Sequence, residues 1–592
     1  MKRISIQNVK NLETKINYLA LFIFPIITFY LFEFYTHNPF VTMRGDVHLL
    51  NIVFFELTAL FLFFITRRIR VALIIQNVLF MILGLANYFV LEFRSLPIMP
   101  WDILSISTAA SVAGNYNYVF YTSTIIVLIC FAILIILSCF LKTKLEKGGK
   151  KRIIGTITTL FLIIGYAFAV RQEAIVKAFD LYVKLFVPTT MQYKDGNVVA
   201  FLYETQFMHV AKPSGYDKEE AIAKIESYET DDEKIDKKPN VIVIMDETFS
   251  DLRFLGDFTT NKEFMPYIDS LLAGAENTIS GHVNVSVLGG NTPNSEFEFL
   301  TGNSMAFLPQ GSVAYQQYIK SQIPSLVSYF ENLGYRTIGM HPYNAGGWNR
   351  NTIYPILGFD EEYFINDFAS PKYIRKYISD ETCFNKIINF YENKKEGEPL
   401  FLFNVTMQNH SAFTQKYTNF TPTIQANGSK SFPLSNYLSL LKETDTAYKE
   451  LISYFSEVDE DTIIVFYGDH QPNDTVANPL WQLLGVDYNN LTLEQERTRY
   501  ITPFVIWANF DIEEQKDIAT SLNYLGGKVL NAANLPLPGY FKFLEDVEED
   551  YPVVSGIQVQ DKDRNEYTVK EQLDNLNEYA KLQYYMLFDT QE

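Results

Sequence analysis

Five apolar runs fill the first 171 of the chain's 592 residues, and they constrain its fold more than any other feature. Each run is about 18–24 residues long, which is enough for a helix to cross the ~30 Å hydrocarbon core of a lipid bilayer. The runs therefore predict a polytopic α-helical membrane domain with five spans over residues 1–171. They lie at about 16–35, 47–66, 71–93, 118–141 and 153–170.

The basic residues around these runs predict how the domain is oriented. Thirteen Lys and Arg residues precede the first run or lie in the gaps after the second and the fourth, whereas the other two gaps hold only Arg44 and Arg94. Basic residues concentrate in cytoplasmic segments, so the N-terminus is expected in the cytoplasm. Five crossings then place everything after Arg171 outside the cell, in a multi-pass protein of the cell membrane.

The charge balance divides the chain into two chemically different parts. Residues 1–171 hold 16 basic and seven acidic residues, a net charge of +9, whereas the rest hold 33 basic and 61 acidic residues, a net charge of −28. A hydrophobic content of 48% excludes a disordered chain, and three cysteines exclude a disulfide scaffold. The acidic second part does not fit a polyanion-binding surface, so nucleic acid is not an expected partner.

After a connector at 172–237, the pattern changes to short apolar runs separated by helical stretches. These runs show little polar alternation, which is typical of strands buried on both faces of a parallel sheet. Their alternation with helices predicts an α/β sandwich over residues 238–592 with a mostly parallel central sheet. The predicted strands are 240–245, 336–340, 399–406, 461–468 and 503–508, and the helical candidates include 323–333 and 436–456.

Four of the predicted strands are followed closely by carboxylate, amide or imidazole side chains. In open α/β sheets, ligands bind beyond the carboxyl ends of the strands, so these side chains are expected to meet. Oxygen and imidazole ligands without thiolates suit Mn²⁺, Mg²⁺ or Zn²⁺, and the combination predicts a metal and phosphate site. The side chains are Asp246 and Glu247, His341, Asn409 and His410, and Asp469 and His470.

A candidate nucleophile lies in the segment SVLGGNTPNSEFEFLTG, where Thr292 follows two glycines and precedes Pro293. The glycines permit close backbone approach, and a helix beginning near Pro293 would direct free N–H groups toward an anion. Taken by itself, the segment fits an ordinary Gly-Asn turn with a capping Thr better. A metal that lowers the pKa of the hydroxyl and binds a phosphoryl oxygen would make Thr292 a nucleophile.

The ordered set of motifs resembles the lipoteichoic acid synthase family, whose members are sulfatase-like phosphoglycerol transferases of the alkaline phosphatase superfamily. These proteins join five membrane helices to an external catalytic domain, and the resemblance covers the chain from end to end. The motifs are NVIVIMDETFSDL, GGNTPNSEFEFLTG, HPYNAGGWNR, TMQNH, FYGDHQP and EYAKLQYYMLFD.

The resemblance implies a role for each candidate site residue. Thr292 is implied as the catalytic nucleophile. The metal is usually Mn²⁺ in the family, and the implied metal ligands are Glu247, Thr292, Asp469 and His470. The residues implied to hold the phosphoglycerol are His341, Trp348, Arg350 and His410.

The implied reaction moves glycerol phosphate from phosphatidylglycerol to a glycerol phosphate polymer or a wall polysaccharide through a phospho-Thr intermediate. Two positions depart from the family pattern. Asp246-Glu247-Thr248 stands where a Leu-Glu-Ser core is usual, and Tyr343 stands where an acidic residue is usual. Both departures leave the metal and nucleophile positions intact, and they leave the acceptor open.

Three other classes of protein remain as alternatives. A sulfatase-like hydrolase would need a Cys or Ser nucleophile in place of Thr292. A phosphoethanolamine transferase shares the five spans and a Thr nucleophile, but its external domain usually carries several disulfides, whereas Cys383 is the only Cys after residue 171. An envelope lipid-binding protein without enzymatic activity would not need the set Glu247, Thr292, Asp469 and His470 together.

Overall fold

The chain forms two compact units in a computed structural model. One unit comprises Met1–Ile103 and Asn115–His209, and the other comprises Leu104–Gly114 and Val210–Glu592. The division after His209 falls within the connector predicted at 172–237, of which 183–187, 209, 230–234 and 236 lie outside the described residues. The structure describes residues 6–94, 97–105, 118–145, 149–182, 188–208, 210–229, 235, 237–488 and 490–590.

Five long helices dominate the first unit, and each is long and apolar enough to cross a membrane. The prediction of five apolar helices is therefore confirmed. The spans are α1 (Ile6–Glu33), α2 (Gly45–Thr66), α3 (Ile69–Arg94), α4 (Thr122–Cys139) and α5 (Lys150–Ala169), and three shorter helices follow, α6 (Glu173–Ala178), α7 (Pro188–Asp195) and α8 (Asn197–Glu204).

Polar side chains inside this unit are satisfied by neighbouring helices. Gln76 of α3 donates a hydrogen bond to the Phe55 carbonyl oxygen of α2 at 2.7 Å, and Thr28 of α1 donates to Asn77 Oδ1 of α3 at 2.8 Å. Such contacts are required where no water is present to satisfy a buried amide. They explain why α3 can carry polar residues within an apolar segment.

An eight-stranded sheet forms the centre of the second unit, and a separate two-stranded hairpin, β5–β6, lies outside it. The strands are β1 (Asn240–Asp246), β2 (Thr278–Asn284), β3 (Arg336–Met340), β4 (Glu361–Tyr363), β5 (Tyr373–Ile374), β6 (Tyr377–Ile378), β7 (Leu400–Val405), β8 (Thr462–Gly468), β9 (Ile501–Ala508) and β10 (Gln515–Ser521). The order in the sheet is β10-β2-β9-β8-β1-β7-β3-β4. All neighbouring pairs are parallel except the two that include β9.

Burial on both faces explains the continuous apolar sequence of the central strands. In β1, Val241, Val243 and Met245 pack into one hydrophobic core, whereas Ile242 and Ile244 pack into a second core on the opposite face. All five side chains are fully buried. Helices cover the two faces, so the predicted α/β fold with a mostly parallel sheet is confirmed.

The structure adds strands that the apolar pattern did not predict. β4 and β10 form the two edges of the sheet, and β2 lies beside β10. Their sequences, EEY in β4, QKDIATS in β10 and TISGHVN in β2, are partly polar. The predicted strand 503–508 corresponds to β9, which runs antiparallel to both neighbours rather than parallel. An apolar run records burial on two faces and carries no information about strand direction.

Helices lie in most of the connections between consecutive strands. The predicted helices 323–333 and 436–456 correspond to α12 (Leu326–Asn332) and α15 (Phe432–Phe455). The longer helices are α9 (Lys218–Glu226), α10 (Pro266–Leu272), α11 (Thr292–Thr301), α12 (Leu326–Asn332), α13 (Arg350–Leu357), α14 (Asp380–Glu392), α15 (Phe432–Phe455), α16 (Asp474–Leu483), α17 (Leu493–Thr498), α18 (Leu522–Ala532), α19 (Gly539–Asp550) and α20 (Asn577–Tyr584).

A glycine permits the close approach of α18 to α11, the helix that begins at Thr292. A Cβ atom added at Gly526 would lie 2.7 Å from Leu326 Cδ1 and 3.0 Å from the Phe299 carbonyl oxygen. A Cβ atom added at the adjacent Gly527 would meet nothing closer than 3.6 Å, an ordinary van der Waals contact. The two neighbouring glycines therefore differ in what they contribute to packing.

We expect the substitution Gly526→Ala to lower the melting temperature of the full chain. The added methyl group would overpack the contact between α18 and α11, and overpacking of this kind costs about 1–3 kcal/mol. Gly527→Ala is the matched control, because it adds a methyl group one position away in the same helix and should gain up to ~1 kcal/mol of helix propensity. Thermal unfolding of both variants in detergent tests this, and a Gly526→Ala chain as stable as wild type would contradict it.

Candidate metal and phosphate site

Strand register brings the first candidate ligands together. β1 and β8 are adjacent and parallel, and Asp246 at the end of β1 pairs with Gly468 at the end of β8. The residues that follow, Glu247 and Asp469, therefore leave the sheet side by side. A Cβ atom at Gly468 would lie 1.7 Å from the Phe249 carbonyl oxygen, so this position before Asp469 admits only glycine.

The side chains of Glu247, Asp469 and His470 form a buried cluster. One ligand atom from each lies within 4.8 Å of the others. His470 Nε2 is 3.2 Å from Asp469 Oδ2 and 3.8 Å from Glu247 Oε1. Two carboxylates and one imidazole at this spacing are a donor set for a divalent cation such as Mn²⁺, Mg²⁺ or Zn²⁺.

Unpaired atoms in the cluster fit a metal ion. Asp469 Oδ2 and His470 Nε2 are buried and have no hydrogen-bond partner in the described part of the chain. His470 Nδ1 lies 3.0 Å from the Gln471 carbonyl oxygen, so Nδ1 carries the proton and Nε2 keeps its lone pair. An imidazole oriented in this way by a backbone carbonyl is the usual arrangement of a metal-binding His.

Burial changes the protonation of the same groups. Burial, followed by the negative charge of Glu247, raises the pKa of Asp469 well above its usual range. Burial lowers the pKa of His470, which favours the neutral imidazole. Asp469 Oδ1 accepts a hydrogen bond from the Thr248 backbone N–H at 2.6 Å, which fixes the carboxylate with its other oxygen toward the cluster. A cation would stabilise the ionised carboxylate that burial disfavours.

Thr292 is the first residue of α11 and lies beside the cluster. Its hydroxyl Oγ1 is 3.4 Å from Glu247 Oε2, and the side chain is buried. Asn291, with φ of 63°, turns the chain sharply into the helix, and Pro293 occupies the first turn. The hydroxyl is therefore placed at the N-terminus of a helix, where backbone N–H groups favour an anion.

Two of the predicted substrate-binding histidines lie at the same edge of the sheet. His341 follows β3, and its Nδ1 lies 3.0 Å from the Val405 carbonyl oxygen at the end of the adjacent β7. Burial, aided by the charge of Arg350, lowers the pKa of His341 well below its usual range. Burial also lowers the pKa of His410, although the nearby Glu247 carboxylate opposes this change. Burial therefore favours the neutral form of both imidazoles.

Arg350 has a protein partner that the sequence did not reveal. Its guanidinium forms a bidentate ion pair with Glu296, with Nε 3.0 Å from Oε1, and the Tyr354 hydroxyl donates to Glu296 Oε2 at 3.0 Å. The Arg350 and Glu296 side chains are only 2% and 0% exposed. Glu296 lies one helical turn after Thr292 in α11, a spacing that could have indicated a shared environment. The phosphate-clamp role expected for Arg350 remains a prediction, and its charge is already balanced.

Trp348 and Tyr343 lie on the segment between β3 and α13. Trp348 is partly exposed and has φ of 55°, an uncommon conformation for a bulky residue. Tyr343, also partly exposed, has its ring centroid 6.1 Å from that of His341 and 6.4 Å from that of Tyr377. The contact of Trp348 with a glycerol group remains a prediction.

The hairpin β5–β6 was missed because its strands have only two residues each. Its turn consists of Arg375 and Lys376, and Tyr377 follows with its hydroxyl 3.0 Å from His410 Nδ1. Arg375 is buried and donates to the carbonyl oxygens of Gln408 and His410 at 2.7 and 2.6 Å. This contact holds the segment that carries His410 against the hairpin.

The comparisons with known proteins identify the family. The sulfatase family model matches residues 239–535, which include β1 to β10 and all the candidate site residues. The chain therefore belongs to the sulfatase family and is a lipoteichoic acid synthase-like member of the alkaline phosphatase superfamily. The resemblance predicted from the motifs is confirmed. The family comprises phosphotransferases of this superfamily, whose members use divalent metal ions.

Individual relatives agree with this assignment. A putative cyclic beta-1,2-glucan modification protein of Rhizobium meliloti is 33% identical over 363 residues, which are 59% of this chain and 55% of that protein. The chain thus aligns with about half the length of that relative. The lipoteichoic acid synthase of Staphylococcus aureus is 25% identical over 513 residues, which are 80% of this chain and 76% of that protein.

Two solved structures share the fold. The Streptococcus pyogenes phosphoglycerol transferase GacH, in complex with sn-glycerol-1-phosphate, has a TM-score of 0.52 and 21% identity over 64% of this chain and 95% of its own. The integral membrane phosphoethanolamine transferase EptA of Neisseria meningitidis has a TM-score of 0.51 and 13% identity over 88% of this chain and 95% of its own. EptA is an integral membrane protein, and its match covers 88% of this chain.

We expect MnCl₂ to raise the melting temperature of the metal-free full chain by on the order of 2–4 °C when it saturates the cluster. This rise in melting temperature should become smaller as the pH falls, and the decrease should begin at a pH above the usual pKa range of an Asp carboxyl. Metal binding needs ionised Asp469, and burial and Glu247 raise the pKa of that group. The rise is thus present above this pKa and is lost as the pH decreases through it.

The variant Asp469→Asn should lose the rise, whereas Glu361→Gln should keep it. Glu361 is a matched acidic control because it pairs with Arg336, at the opposite end of β3 from His341. Melting curves with and without MnCl₂, together with metal analysis of the dialysed protein, provide the measurement. An equal rise in Asp469→Asn would show that the ion binds elsewhere.

We expect Arg350→Met to lower the melting temperature strongly. It leaves the Glu296 carboxylate buried without its partner, and breaking a buried ion pair in this way costs about 3–5 kcal/mol. The double variant Glu296→Gln with Arg350→Met should recover most of the loss. If Arg350 acts only as a phosphate clamp, Arg350→Met will melt like wild type and the second substitution will restore nothing.

Proposed function

We propose that this protein is a metal-dependent phosphoglycerol transferase of the cell membrane. It transfers glycerol phosphate from phosphatidylglycerol to a cell-envelope glycopolymer, through an intermediate in which the phosphate is bound to Thr292. The acceptor is a lipoteichoic acid chain or a related wall polysaccharide. The charge asymmetry of the membrane helices supports a cytoplasmic N-terminus and an extracellular catalytic domain.

The placement of Thr292 carries the proposal. Its hydroxyl lies 3.4 Å from Glu247 Oε2, within a cluster whose buried, unpaired Asp469 and His470 atoms fit a metal ion. A divalent metal at this position, with Mn²⁺ as the first choice, would lower the pKa of the hydroxyl and polarise a phosphoryl oxygen. The helix N-terminus beneath Thr292 favours the negative charge of the bound phosphate.

The chain's own residues supply the remaining steps of a double displacement. The Thr292 hydroxyl gives up its proton, and Oγ1 forms a bond to phosphorus as the bond from phosphorus to the diacylglycerol oxygen breaks. The diacylglycerol oxygen takes up a proton. An acceptor hydroxyl then gives up its proton and attacks the same phosphorus. The bond from phosphorus to Thr292 Oγ1 breaks, and Oγ1 takes up a proton. His410 and His341 are the candidates for moving these protons, because burial favours the neutral form of both at the site.

The relatives support the choice of substrates. Lipoteichoic acid synthase and a phosphoglycerol transferase bound to sn-glycerol-1-phosphate favour a glycerol phosphate donor. A glucan modification protein favours an acceptor that is a saccharide hydroxyl. A membrane anchor suits an enzyme whose donor is a bilayer lipid.

The alternatives fit the site less well. A sulfatase-like hydrolase needs a Cys or Ser at the position of Thr292. A phosphoethanolamine transferase is the second candidate, because the fold of this chain is similar to that of EptA. The buried Cys383 is the only Cys after residue 171, so the domain can contain no internal disulfide of the kind usual in that class. A non-enzymatic lipid-binding protein would have no need for a buried, metal-binding nucleophile.

We expect Thr292→Ala to abolish the release of diacylglycerol from labelled phosphatidylglycerol by the full chain in lipid nanodiscs with Mn²⁺. Thr292→Ser keeps a hydroxyl and should retain measurable turnover and a covalent glycerophosphoryl adduct detectable by mass spectrometry. Thr301→Ala is the matched control, because it removes a Thr hydroxyl at the far end of the same helix. Normal turnover by Thr292→Ala would refute the nucleophile. Release of phosphoethanolamine from phosphatidylethanolamine, but not of glycerol phosphate, would favour the second candidate.

A further inference from the structure

The cation that the sequence placed at the candidate site already has a carboxylate partner. Arg350 is bound to Glu296 through two nitrogens and is almost fully buried. Glu247 and Asp469 carry two negative charges that a divalent metal would balance. A substrate phosphate would bring further negative charge, and phosphate is recognised in proteins mainly by cationic side chains and metal ions. A second cation close to the cluster is therefore expected.

The turn of the β5–β6 hairpin provides this cation. Lys376 is the second residue of the turn, is partly exposed, and has its Nζ atom 5.1 Å from the centre of the Tyr377 ring. The Tyr377 hydroxyl is 3.0 Å from His410 Nδ1, and the two rings are 5.4 Å apart. Tyr377 therefore connects the ammonium group to the imidazole at the edge of the site.

The charge of Lys376 also acts on the His410 imidazole. Burial is the largest cause of the lowered pKa of His410, and the charge of Lys376 contributes to it. Glu247 acts on the same imidazole in the opposite direction. The Lys376 ammonium group and the Glu247 carboxylate thus act on the same imidazole.

Arg375 fixes the turn in position. Its guanidinium donates to the carbonyl oxygens of Gln408, His410 and Ala412, at 2.7, 2.6 and 3.2 Å. These partners are carbonyls rather than carboxylates, so the positive charge of Arg375 is not cancelled by them. The arrangement adds a positive potential beside Lys376 and holds the turn and the His410 segment as one piece.

Two other lysines close in sequence do not have this placement. Lys372 is exposed and forms an ion pair with Glu381. The Lys386 ammonium group donates to the Asp367 carbonyl oxygen and lies over the rings of Phe368 and Phe390. Lys376 alone among the three is linked to His410.

We propose that Lys376 binds a phosphate oxygen of the substrate at a subsite beside His410 and Tyr377. This inference rests on the proposed phosphoglycerol transfer. The ligand chemistry is a phosphate ester anion. It has two sources, the phosphodiester of the lipid donor or a phosphate group on an anionic acceptor. A flexible ammonium group suits either, because it binds phosphate as a point charge without a fixed geometry.

The first test measures binding of sn-glycerol 1-phosphate to the metal-loaded full chain in detergent by calorimetry. Lys376→Met should weaken binding about tenfold, which corresponds to the loss of one charge-assisted contact. Lys376→Arg should stay within about threefold of wild type because it keeps the charge. Lys372→Met is the matched control and should bind like wild type. The difference between Lys376→Met and wild type should also shrink at high salt, because ions screen the partly exposed charge.

The second test separates the two sources of phosphate. If Lys376 binds the donor, Lys376→Met raises the KM for hydrolysis of phosphatidylglycerol about tenfold and changes kcat little. If Lys376 binds the acceptor, hydrolysis is unchanged. Transfer to a glycerol phosphate oligomer then falls, while transfer to a neutral oligosaccharide does not. Either result supports the subsite and assigns its ligand.

Equal affinity of Lys376→Met and wild type for sn-glycerol 1-phosphate would overturn the inference, and so would a wild-type chain that binds neither this compound nor inorganic phosphate. The failure of the proposed function looks different. Wild type would then release no diacylglycerol, although binding of sn-glycerol 1-phosphate would still depend on Lys376. Conversely, hydrolysis could depend on Thr292 while binding, hydrolysis and transfer are all unchanged in Lys376→Met. That result would support the proposed function and exclude the subsite.

Discussion

Two carboxylates and an imidazole are buried together at the ends of two adjacent strands, and the rest of the site is arranged around this concentration of charge. Burying an unpaired carboxylate costs several kcal/mol, so Glu247 and Asp469 are compatible with a stable core only if a proton or a cation compensates them. The unpaired Asp469 Oδ2 and His470 Nε2 favour a cation over a proton. Metal binding and the stability of this edge of the sheet are therefore coupled.

The geometry of the cluster is a consequence of strand register rather than of loop structure. Because Asp246 pairs with Gly468, the ligands Glu247 and Asp469 leave neighbouring strands at the same level. Gly468 is required because the Phe249 carbonyl occupies the space where a side chain would lie. Thr292 joins this edge from a helix that is itself held close by Gly526. Backbone positions that exclude side chains thus locate the proposed metal ligands and the proposed nucleophile.

Much of this arrangement could be predicted from the sequence because parallel strands share one carboxyl edge. Apolar runs that are buried on both faces locate β1, β3, β7 and β8, and polar residues directly after them must meet. The same reasoning could not give β2, β4 or β10, whose partly polar sequences reflect positions at or near the sheet edges. It also could not give the Glu296–Arg350 pair, because two residues 54 positions apart are brought together only by packing of α11 against the segment after β3.

The balance of charge at the site limits how an anionic substrate can be recognised. The chain after residue 171 carries a net charge of −28, so its long-range field repels anions rather than steering them toward the site. At physiological ionic strength this repulsion fades beyond about 8 Å, and only contacts at shorter range remain to select a substrate. Arg350 is neutralised by Glu296, and Arg375 is directed to backbone carbonyls. The attraction that the proposed reaction needs is therefore concentrated in a metal ion at the Glu247, Asp469 and His470 cluster and in the N-terminus of α11, with Lys376 as the proposed addition.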